Sequence, residues 1–340
     1  MFYIYHHTDA DGYASAATVI TYLLLSKKIT SYNDSRIRLI PFNYENLDTF
    51  VPFNSDTDFN EGDSVFLVDL SVSTGTLTKF VLFLDLLFKR KCKFTWIDHH
   101  KSSIDDSYNS MLDKRFTAYS FTRYIDTYYC AAYNCYYYLI NHLLGMSDIG
   151  IPEIIRVIDD YDCWKLRING SKELIVGMSL DNVHLPTNSD WFKWFTDRTE
   201  CLNFIKSCID KGKIINSWLE IDDTNKFNTT NFTTQLCGLT CCAVNNRRNS
   251  DIFRCKENYD VLLSYVYNGS CYKYSIYSTK DNVHCNTIAE MFGGGGHKGA
   301  AGFTTKKLIV TKKQSILYKF KDYIRKKHYL AKIQNIERSD

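Results

Sequence analysis

The stretch of sequence that decides the fold is residues 95–100, Thr95-Trp96-Ile97-Asp98-His99-His100. Residues 93–97 combine β-branched and aromatic side chains, which is typical of a buried strand. The strand then ends in one carboxylate and two imidazoles, all of which can bind a metal ion. In open α/β sheets, ligands bind beyond the carboxyl ends of parallel strands. The stretch predicts a buried strand with a ligand site at its end, and its alternative is a polar strand end with a helix-capping Asp.

Side chains of the same kind follow two earlier strand-like segments, residues 2–5 and residues 65–68. Together, the three strand ends supply the following carboxylates and imidazoles: His7, Asp9, Asp11, Asp69, Asp98, His99 and His100. Since the carboxyl ends of parallel strands meet at one edge of a sheet, we expect these side chains to lie close together. Like charges about 4 Å apart repel by roughly 4 kcal/mol at an effective dielectric constant of 20, so a divalent cation is expected among them. The mixture of His and Asp favours manganese over calcium.

Helical patterns alternate with these strands. Residues 13–25 and 77–88 have the apolar spacing of helices, and residues 36–42 form a further predicted strand. This alternation predicts an α/β fold with a doubly wound parallel sheet in an N-terminal domain. A smaller α/β domain with a mixed sheet is predicted from three later strand-like segments: residues 238–245, 259–267 and 272–277.

The composition excludes several classes of protein. The longest apolar run, residues 80–88, is interrupted by Asp85 and is far shorter than the roughly 20 residues of a membrane-spanning helix, so no membrane partner is expected. The chain contains 12 cysteines, but its start lacks the features of a secretory signal, and the tightest cysteine cluster lacks the paired spacing of a zinc site. We therefore expect free thiols in a cytoplasmic protein.

The sequence motifs resemble those of the DHH phosphoesterase family. His7-x-Asp9-x-Asp11-Gly12 is similar to the first motif of the family, Asp69 to the second, and Asp98-His99-His100 to the third, which names it. A glycine-rich signature of the associated C-terminal domain is similar to residues 292–303, Phe292-Gly293-Gly294-Gly295-Gly296-His297-Lys298-Gly299-Ala300-Ala301-Gly302-Phe303. The resemblance extends over both predicted domains, from residue 1 to about residue 303.

The resemblance implies a domain organisation for the 340 residues, which exceed what one core usually serves. The expected parts are a DHH metal-binding catalytic domain at residues 1–188, a helical linker at 189–224, and a substrate-binding domain at 225–340. The polar residues 222–234 are the best candidate for the boundary, and the active site is expected in the cleft between the domains. Residues 306–327 contain nine Lys or Arg and one acid, which predicts a basic C-terminal helix that attracts phosphates.

The resemblance also implies two divalent metal ions, manganese first, with magnesium and cobalt as alternatives. One ion would bind His7, Asp9 and Asp69. The second would bind Asp11, Asp69, His99 and Asp160, so that Asp69 bridges the pair. The last carboxylate lies in a predicted helix at residues 152–164, where alignment on the hydrophobic residues favours Asp160 and leaves Asp159 and Asp162 open.

Two metal ions of this kind can activate a hydroxide for in-line attack on phosphorus. His100 would then face the phosphate as a hydrogen-bond or proton donor, and Asp98 would orient an imidazole. The residues expected to bind the substrate are those of the glycine run and its two successors: Gly293, Gly294, Gly295, Gly296, His297 and Lys298. Many relatives have an arginine in the strand before this run, where this chain has Tyr277, so the usual substrate of the family need not apply.

The predicted function is a manganese-dependent phosphodiesterase that acts on short oligonucleotides or on small nucleotides, including cyclic or bisphosphorylated ones. Its partner would be the nucleic acid or nucleotide substrate, and a homodimer is one of the oligomeric states open to it. The alternatives are an inorganic pyrophosphatase-like phosphohydrolase and a non-catalytic nucleotide-binding sensor on the same fold.

Overall fold

The computed structural model describes residues 1–42, 59–72, 77–100, 103, 106–180, 184–246, 250–253, 256–296, 298–312 and 316–336. They divide into two compact units, Met1–Asn216 and Ser217–Asp340. The division falls within one long helix, and the boundaries at residues 188 and 224 remain predictions. No helix in these described ranges has both the length and the apolar character needed to cross a membrane.

The first unit is built on a parallel sheet of five strands: β1 (Phe2–His7), β2 (Ile37–Phe42), β3 (Ser64–Val68), β4 (Lys93–Asp98) and β5 (Thr122–Ile125). The strand order is β2-β1-β3-β4-β5, and every neighbouring pair is parallel. Strand β2 therefore lies on one side of β1, and β3, the next strand along the chain, lies on the other side. The point where the order reverses lies between β1 and β3, which is where doubly wound sheets bind their ligands.

Eight helices accompany this sheet among the described residues: α1 (Ala10–Leu25), α2 (Leu77–Lys89), α3 (Asp106–Tyr119), α4 (Ala131–Cys135), α5 (Glu153–Asp162), α6 (Ser171–Met178), α7 (Asp190–Thr196) and α8 (Arg198–Thr230). After α4, the helix continues as a π-helix over Tyr136–His142. The predicted alternation of strands and helices is confirmed.

Helices cover both faces of the sheet because successive strand side chains point to opposite sides. On one face, Ile4 and Ile97 pack into a core with residues of α1, α4 and α5. On the other face, Tyr5 and Trp96 pack with residues of α2 and α3. Burying one such side chain contributes roughly 1.5–3 kcal/mol, so both cores hold the strand ends in fixed positions.

The second unit contains a six-stranded sheet with the order β10-β11-β9-β8-β7-β6. Its strands are β6 (Phe232–Leu236), β7 (Leu239–Asn245), β8 (Val261–Tyr267), β9 (Tyr272–Tyr277), β10 (Gly295–Gly296) and β11 (Ala300–Thr305), and its helices are α9 (Cys285–Glu290) and α10 (Ile316–Ile336). Strands β7 and β8 are parallel and the other neighbours are antiparallel, which confirms the predicted mixed sheet.

The structure differs from the sequence prediction around the linker. The polar residues 222–234, predicted as the domain boundary, are partly helical, because α8 continues to Thr230. The hydroxyls of Thr229 and Thr230 donate to carbonyls of the preceding turn, which satisfies side chains that would otherwise compete with the helix. The segment predicted as a helical linker contains two helices, α7 and α8, divided at Asp197, whose carboxylate accepts N–H groups from the first turn of α8.

Candidate metal centre

The turn after β1 brings His7 and Asp9 together. Asp9 caps α1 by accepting the backbone N–H of Gly12 at 2.9 Å, and its second oxygen lies 2.8 Å from Nδ1 of His7. Position 12 must be glycine, since a Cβ there would lie 2.3 Å from the carbonyl oxygen of His7. Burial raises the pKa of Asp9, but the hydrogen bond and charge of His7 outweigh it, so the pKa lies below its usual value. The tight turn therefore fixes both side chains at the strand end.

Asp11 lies in the first turn of α1 and is almost fully buried. Its two oxygens accept the backbone N–H groups of Ala131 and Ala132 at 2.8 and 2.7 Å, so the start of α4 holds the carboxylate. Burial raises the pKa of Asp11, and the charge of Asp9 adds to the shift while His99 opposes it. The ionised carboxylate is thus only partly compensated within the chain.

Asp69 follows β3 directly and is 2% exposed. Its φ of +55° is unusual for a residue other than glycine, and Asp is one of the few residue types that tolerate it. Oδ1 lies 3.4 Å from Nε2 of His99, and Oδ2 lies 3.7 Å from Nδ1 of His7. Within the described part of the chain, Oδ2 has no hydrogen-bond partner. Burial, together with the charges of Asp11 and Asp9, raises the pKa of Asp69 well above its usual value.

His99 lies at the middle of a group of carboxylates. Its Nε2 is 3.6 Å from Asp11, 3.4 Å from Asp69 and 3.5 Å from Asp162, the last residue of α5. Burial and the charge of Asp11 raise the pKa of Asp162 to about 8. The structure therefore brings Asp162 into the group that the sequence analysis had completed with Asp160.

Asp160 lies elsewhere, because residues two positions apart on a helix point about 200° apart around its axis. Its two oxygens accept the backbone N–H groups of Arg167 and Ile168 at 2.7 and 3.1 Å. Asp159, the other alternative, accepts the N–H of Cys130 at 2.8 Å and pairs with Lys165 at 2.6 Å. Both carboxylates thus have partners of their own, and the structure does not bring Asp160 to His99.

His100 and Asp98 form a separate pair beside this group. Nδ1 of His100 lies 2.8 Å from Asp98, and the other oxygen of Asp98 accepts the hydroxyl of Ser103 at 2.5 Å. Burial lowers the pKa of His100, but the hydrogen bond and charge of Asp98 outweigh it and raise the pKa to about 9. Asp98 is fully buried and contacts an imidazole, as expected for an orienting residue. Sequence reasoning did not identify Ser103.

These residues form three overlapping clusters of potential metal ligands. The clusters are His7, Asp9 and Asp69; Asp69, Asp98, His99 and His100; and His99, Asp162 and Cys163. In each cluster, one ligand atom per residue lies within 4.8 Å of all the others. Burial raises the pKa of the Cys163 thiol, so it is a poor ligand, and the sequence analysis did not identify it.

The residues fit a metal centre. Among the described residues, no lysine or arginine forms an ion pair with Asp11, Asp69 or Asp162. The donors are imidazole nitrogens and carboxylate oxygens, a set that suits divalent first-row metals, and the unpartnered Oδ2 of Asp69 supplies a free ligand position. A divalent cation would supply the missing positive charge.

Comparison with known protein families matches two parts of the chain. Residues 1–157 match the DHH family, N-terminal domain, and residues 250–326 match the DHHA1 domain. Together, the two matches cover well over half of the chain. This chain belongs to the DHH phosphoesterase family. The residues clustered at the sheet edge lie within the DHH match, apart from Asp162 and Cys163, which follow it.

One solved structure agrees with this assignment at the level of the fold. It is a DHH domain described as a member of a family of ribosomal proteins, with a TM-score of 0.58 and 13% identity, covering 98% of this chain and 86% of that chain. Weaker similarity extends to exonuclease RecJ bound to manganese, with a TM-score of 0.46 and 11% identity, covering 98% and 90%. The pGpG-specific phosphodiesterase PggH from Vibrio cholerae has a TM-score of 0.44 and 10% identity, covering 98% and 99%. No curated protein sequence matches the chain.

The DHHA1 match contains the glycine run. Gly295 and Gly296 form β10, which pairs with β11 in an antiparallel hairpin. Gly293 and Gly296 have φ angles of +77° and +142°, and a Cβ on Gly294 would lie 2.1 Å from the carbonyl oxygen of Gly302. Positions 293, 294 and 296 of the run therefore favour glycine, whereas an added Cβ at position 295 would meet nothing within 4 Å. Lys298 is exposed beside it, and His297 lies outside the described residues.

Proposed function

We propose that this DHH protein is a manganese-dependent phosphodiesterase that hydrolyses short oligonucleotides or small nucleotides with two divalent ions. One observation carries the proposal: buried carboxylates around Asp69 meet imidazoles at the switch point of the sheet without a balancing cation of their own among the described residues. Such a group is costly for a folded chain unless a metal ion compensates it. Magnesium and cobalt remain alternatives for the same ligand set.

The distances support a specific assignment of ligands, with Asp69 shared between the two ions. The first ion would bind His7, Asp9 and Asp69. The second would bind Asp11, Asp69, His99 and Asp162, with Asp162 in the place predicted for Asp160. When bound, such a pair lowers the pKa of water and stabilises the attacking and leaving oxygens at phosphorus.

In the Asp98–His100 pair, His100 would act on the substrate directly, and Asp98 would act by orienting the His100 ring. Nδ1 of His100 lies 2.8 Å from Asp98, and we assign to His100 the donation of a hydrogen bond or a proton to the leaving oxygen. Asp98 holds the ring, and Ser103 holds Asp98. His100 is about one-third exposed, so a substrate can reach it.

The glycine run would bind phosphate groups of the substrate. Glycines have no side chain, so a phosphate can approach the backbone of the turn closely, and Lys298 adds a positive charge. We propose that His297 contributes a further hydrogen bond to the substrate. Replacement of His297 by Ala should then raise KM for a dinucleotide far more than for the small reporter bis-p-nitrophenyl phosphate.

The experiment that tests the function is a hydrolysis panel with manganese, magnesium, cobalt or chelator. The panel contains linear and cyclic dinucleotides, longer single strands, 3′-phosphoadenosine phosphate and pyrophosphate. We expect metal-dependent cleavage of at least one phosphodiester or nucleotide. Turnover of pyrophosphate alone would replace the proposal with a pyrophosphatase, and tight nucleotide binding without any turnover would replace it with a sensor.

A further inference from the structure

A group of aromatic and basic side chains, all exposed except Lys165, adjoins the candidate metal centre in the first unit. It consists of Tyr128, Trp164, Lys165 and Lys172, which we call the aromatic patch. Trp164 is 61% exposed and Tyr128 is 62% exposed, both high values for such large rings. The Lys172 ammonium lies 5.2 Å from the ring centre of Trp164, and the Lys165 ammonium lies 4.9 Å from that of Tyr128. The proposed mechanism gives this surface no role.

The backbone places the aromatic patch next to the proposed metal ligands. Trp164 follows Cys163, whose sulfur belongs to the cluster of His99 and Asp162. Since neighbouring Cα atoms are 3.8 Å apart, Trp164 begins within about 8 Å of Asp162 along the chain. Tyr128 precedes the segment whose N–H groups at Cys130 and Ala131 bind Asp159 and Asp11. Two separate segments that adjoin this centre in the chain thus carry exposed rings.

The conformation of Trp164 is strained. Its φ of +53° is in the left-handed region, where a bulky residue is rare, and it lies one residue beyond the cap of α5, where glycine is usual. The strained turn is closed by hydrogen bonds from Trp164 N to Tyr161 O at 3.0 Å and from Lys165 N to Asp160 O at 2.9 Å. Lys27, Lys91 and Ser120, which follow other helices of the first unit, have the same left-handed conformation, so Trp164 is part of a helix-ending turn.

Asp160 explains how the turn is maintained. Its carbonyl oxygen accepts N–H groups from Lys165 and Leu166, and its carboxylate accepts those of Arg167 and Ile168. One side chain and one carbonyl therefore fix the four residues that follow Trp164. The chain thus carries a large, mostly exposed ring two residues after Asp162.

We propose that Trp164 stacks on a nucleobase of the substrate and determines how strongly nucleotides are preferred over other phosphodiesters. The proposal rests on the phosphodiesterase function proposed above. Stacking on an aromatic ring is available to every base, because each has a flat π-face, and it suits an enzyme of broad sequence preference. Lys172, which is exposed over the ring, adds a positive charge that attracts the neighbouring phosphate. Tyr128 extends the surface in the direction of a second base.

The test compares Trp164→Gly and Trp164→Tyr with the control Tyr137→Ala in the full chain with manganese. Tyr137 is a 48% exposed aromatic residue of the same unit, outside the aromatic patch. The substrates are a cleavable dinucleotide and two analogues in which either nucleoside lacks its base. For Trp164→Gly we expect KM for the dinucleotide to rise about tenfold with kcat nearly unchanged, since base stacking contributes to binding.

The abasic substrates and the variant Trp164→Tyr test whether the effect of Trp164→Gly depends on stacking with a nucleobase. Trp164→Gly should leave KM unchanged for the analogue that lacks the stacked base, and Trp164→Tyr should retain most of the affinity of the original chain. Tyr137→Ala should match the original chain on every substrate. An unchanged KM for the dinucleotide, or an equal rise on all three substrates, would overturn the proposal.

Two further measurements separate a binding role from a structural one and from failure of the proposed function. Glycine tolerates the left-handed conformation, so Trp164→Gly should unfold at an equal or higher temperature than the original chain. A lower temperature would indicate a structural role. Binding of a fluorescently labelled dinucleotide in chelator requires no turnover, and it should weaken about tenfold in Trp164→Gly. If no substrate is cleaved but this loss is observed, the stacking role stands and the phosphodiesterase function fails.

Discussion

Buried carboxylates occur in both units, but Asp322 in the second unit and Asp69 in the first differ in their hydrogen-bond partners. In the second unit, Asp322 of α10 accepts the backbone N–H groups of Cys237 and Gly238 at 2.6 and 3.0 Å, at a turn between β6 and β7. In the first unit, Asp69 is also buried, but one of its oxygens has no hydrogen-bond partner among the described residues. In the first arrangement both oxygens have partners within the chain, whereas in the second one oxygen has none among the described residues.

The comparison separates Asp322 from Asp69 by their partners and not by their burial. A hydrogen bond to a charged group contributes roughly 1.5–3 kcal/mol, so Asp322 stabilises its turn. A buried charge without a partner costs about as much or more. Backbone N–H groups also occupy both oxygens of Asp11 and of Asp160, so this feature alone does not exclude a ligand. Proximity to His99 distinguishes the two, because Asp11 and Asp162 lie within 3.6 Å of its Nε2 and Asp160 does not join them.

The largest effect is expected from Asp69→Ala, which removes the carboxylate shared by both proposed metal ions. Hydrolysis should fall by more than about a thousandfold, because both proposed ions lose a shared ligand and with them the chemistry that they supply. Turnover of the sensitive dinucleotide, measured with manganese, checks this. Asp69→Asn is the matched control, since Asn keeps the shape and tolerates the positive φ. Full activity in either variant would refute a shared ligand.

The next prediction compares two residues on one helix. Asp162→Asn should weaken manganese binding by roughly ten- to a hundredfold and leave the unfolding temperature of the metal-free protein equal or higher, since it removes a carboxyl group whose ionised form Asp11 and Asp9 repel. Asp160→Asn should do the reverse, lowering the unfolding temperature while manganese affinity stays within about threefold. Calorimetric metal titration and thermal unfolding of both variants decide between them. If Asp160→Asn has the larger effect on metal binding, the assignment based on the distances is wrong.

A smaller effect is expected from Asp98→Asn, because Asp98 acts through His100. Loss of the charge that holds the imidazole should lower kcat by about ten- to a hundredfold, as for other residues that orient a functional histidine. Metal affinity should change little, and Ser103→Ala should cause a milder loss of the same kind. Steady-state kinetics with saturating manganese measure both variants. Equal kcat values for Asp98→Asn and the original chain would remove the pair from the mechanism.

The smallest effect is expected from Asp322→Ala, on stability and not on chemistry. Two buried N–H groups, those of Cys237 and Gly238, would lose their acceptor, at a cost of about 1–3 kcal/mol in the free energy of unfolding. Denaturant unfolding measures this cost, and a manganese titration serves as the control that should not change. A loss of metal affinity in this variant would contradict the distinction drawn between the two carboxylates.

Sequence reasoning recovers most of the parallel sheet and its functional edge for a physical reason. Strand residues alternate with period two, and parallel strands end at the same edge, so the convergence of Asp69 with His99 follows from connectivity alone. Connectivity does not decide between Asp160 and Asp162, because a shift of two residues turns a side chain to the opposite face of its helix. The strain at Trp164 and the contact of Ser103 with Asp98 depend on backbone angles and packing that leave no pattern in the sequence.

The glycine at position 12 has a consequence for which sequences this centre can accept. Any side chain there would meet the carbonyl oxygen of His7 at 2.3 Å, and the turn cannot open without moving the start of α1. In a library that samples every residue type at both positions, a screen for folded protein alone should therefore retain glycine at position 12. The same screen should accept uncharged residues at position 69. Only a screen for turnover should restore the carboxylate. Position 12, which has no proposed contact with a metal ion or a substrate, should then tolerate fewer residue types for folding than position 69, the proposed metal ligand.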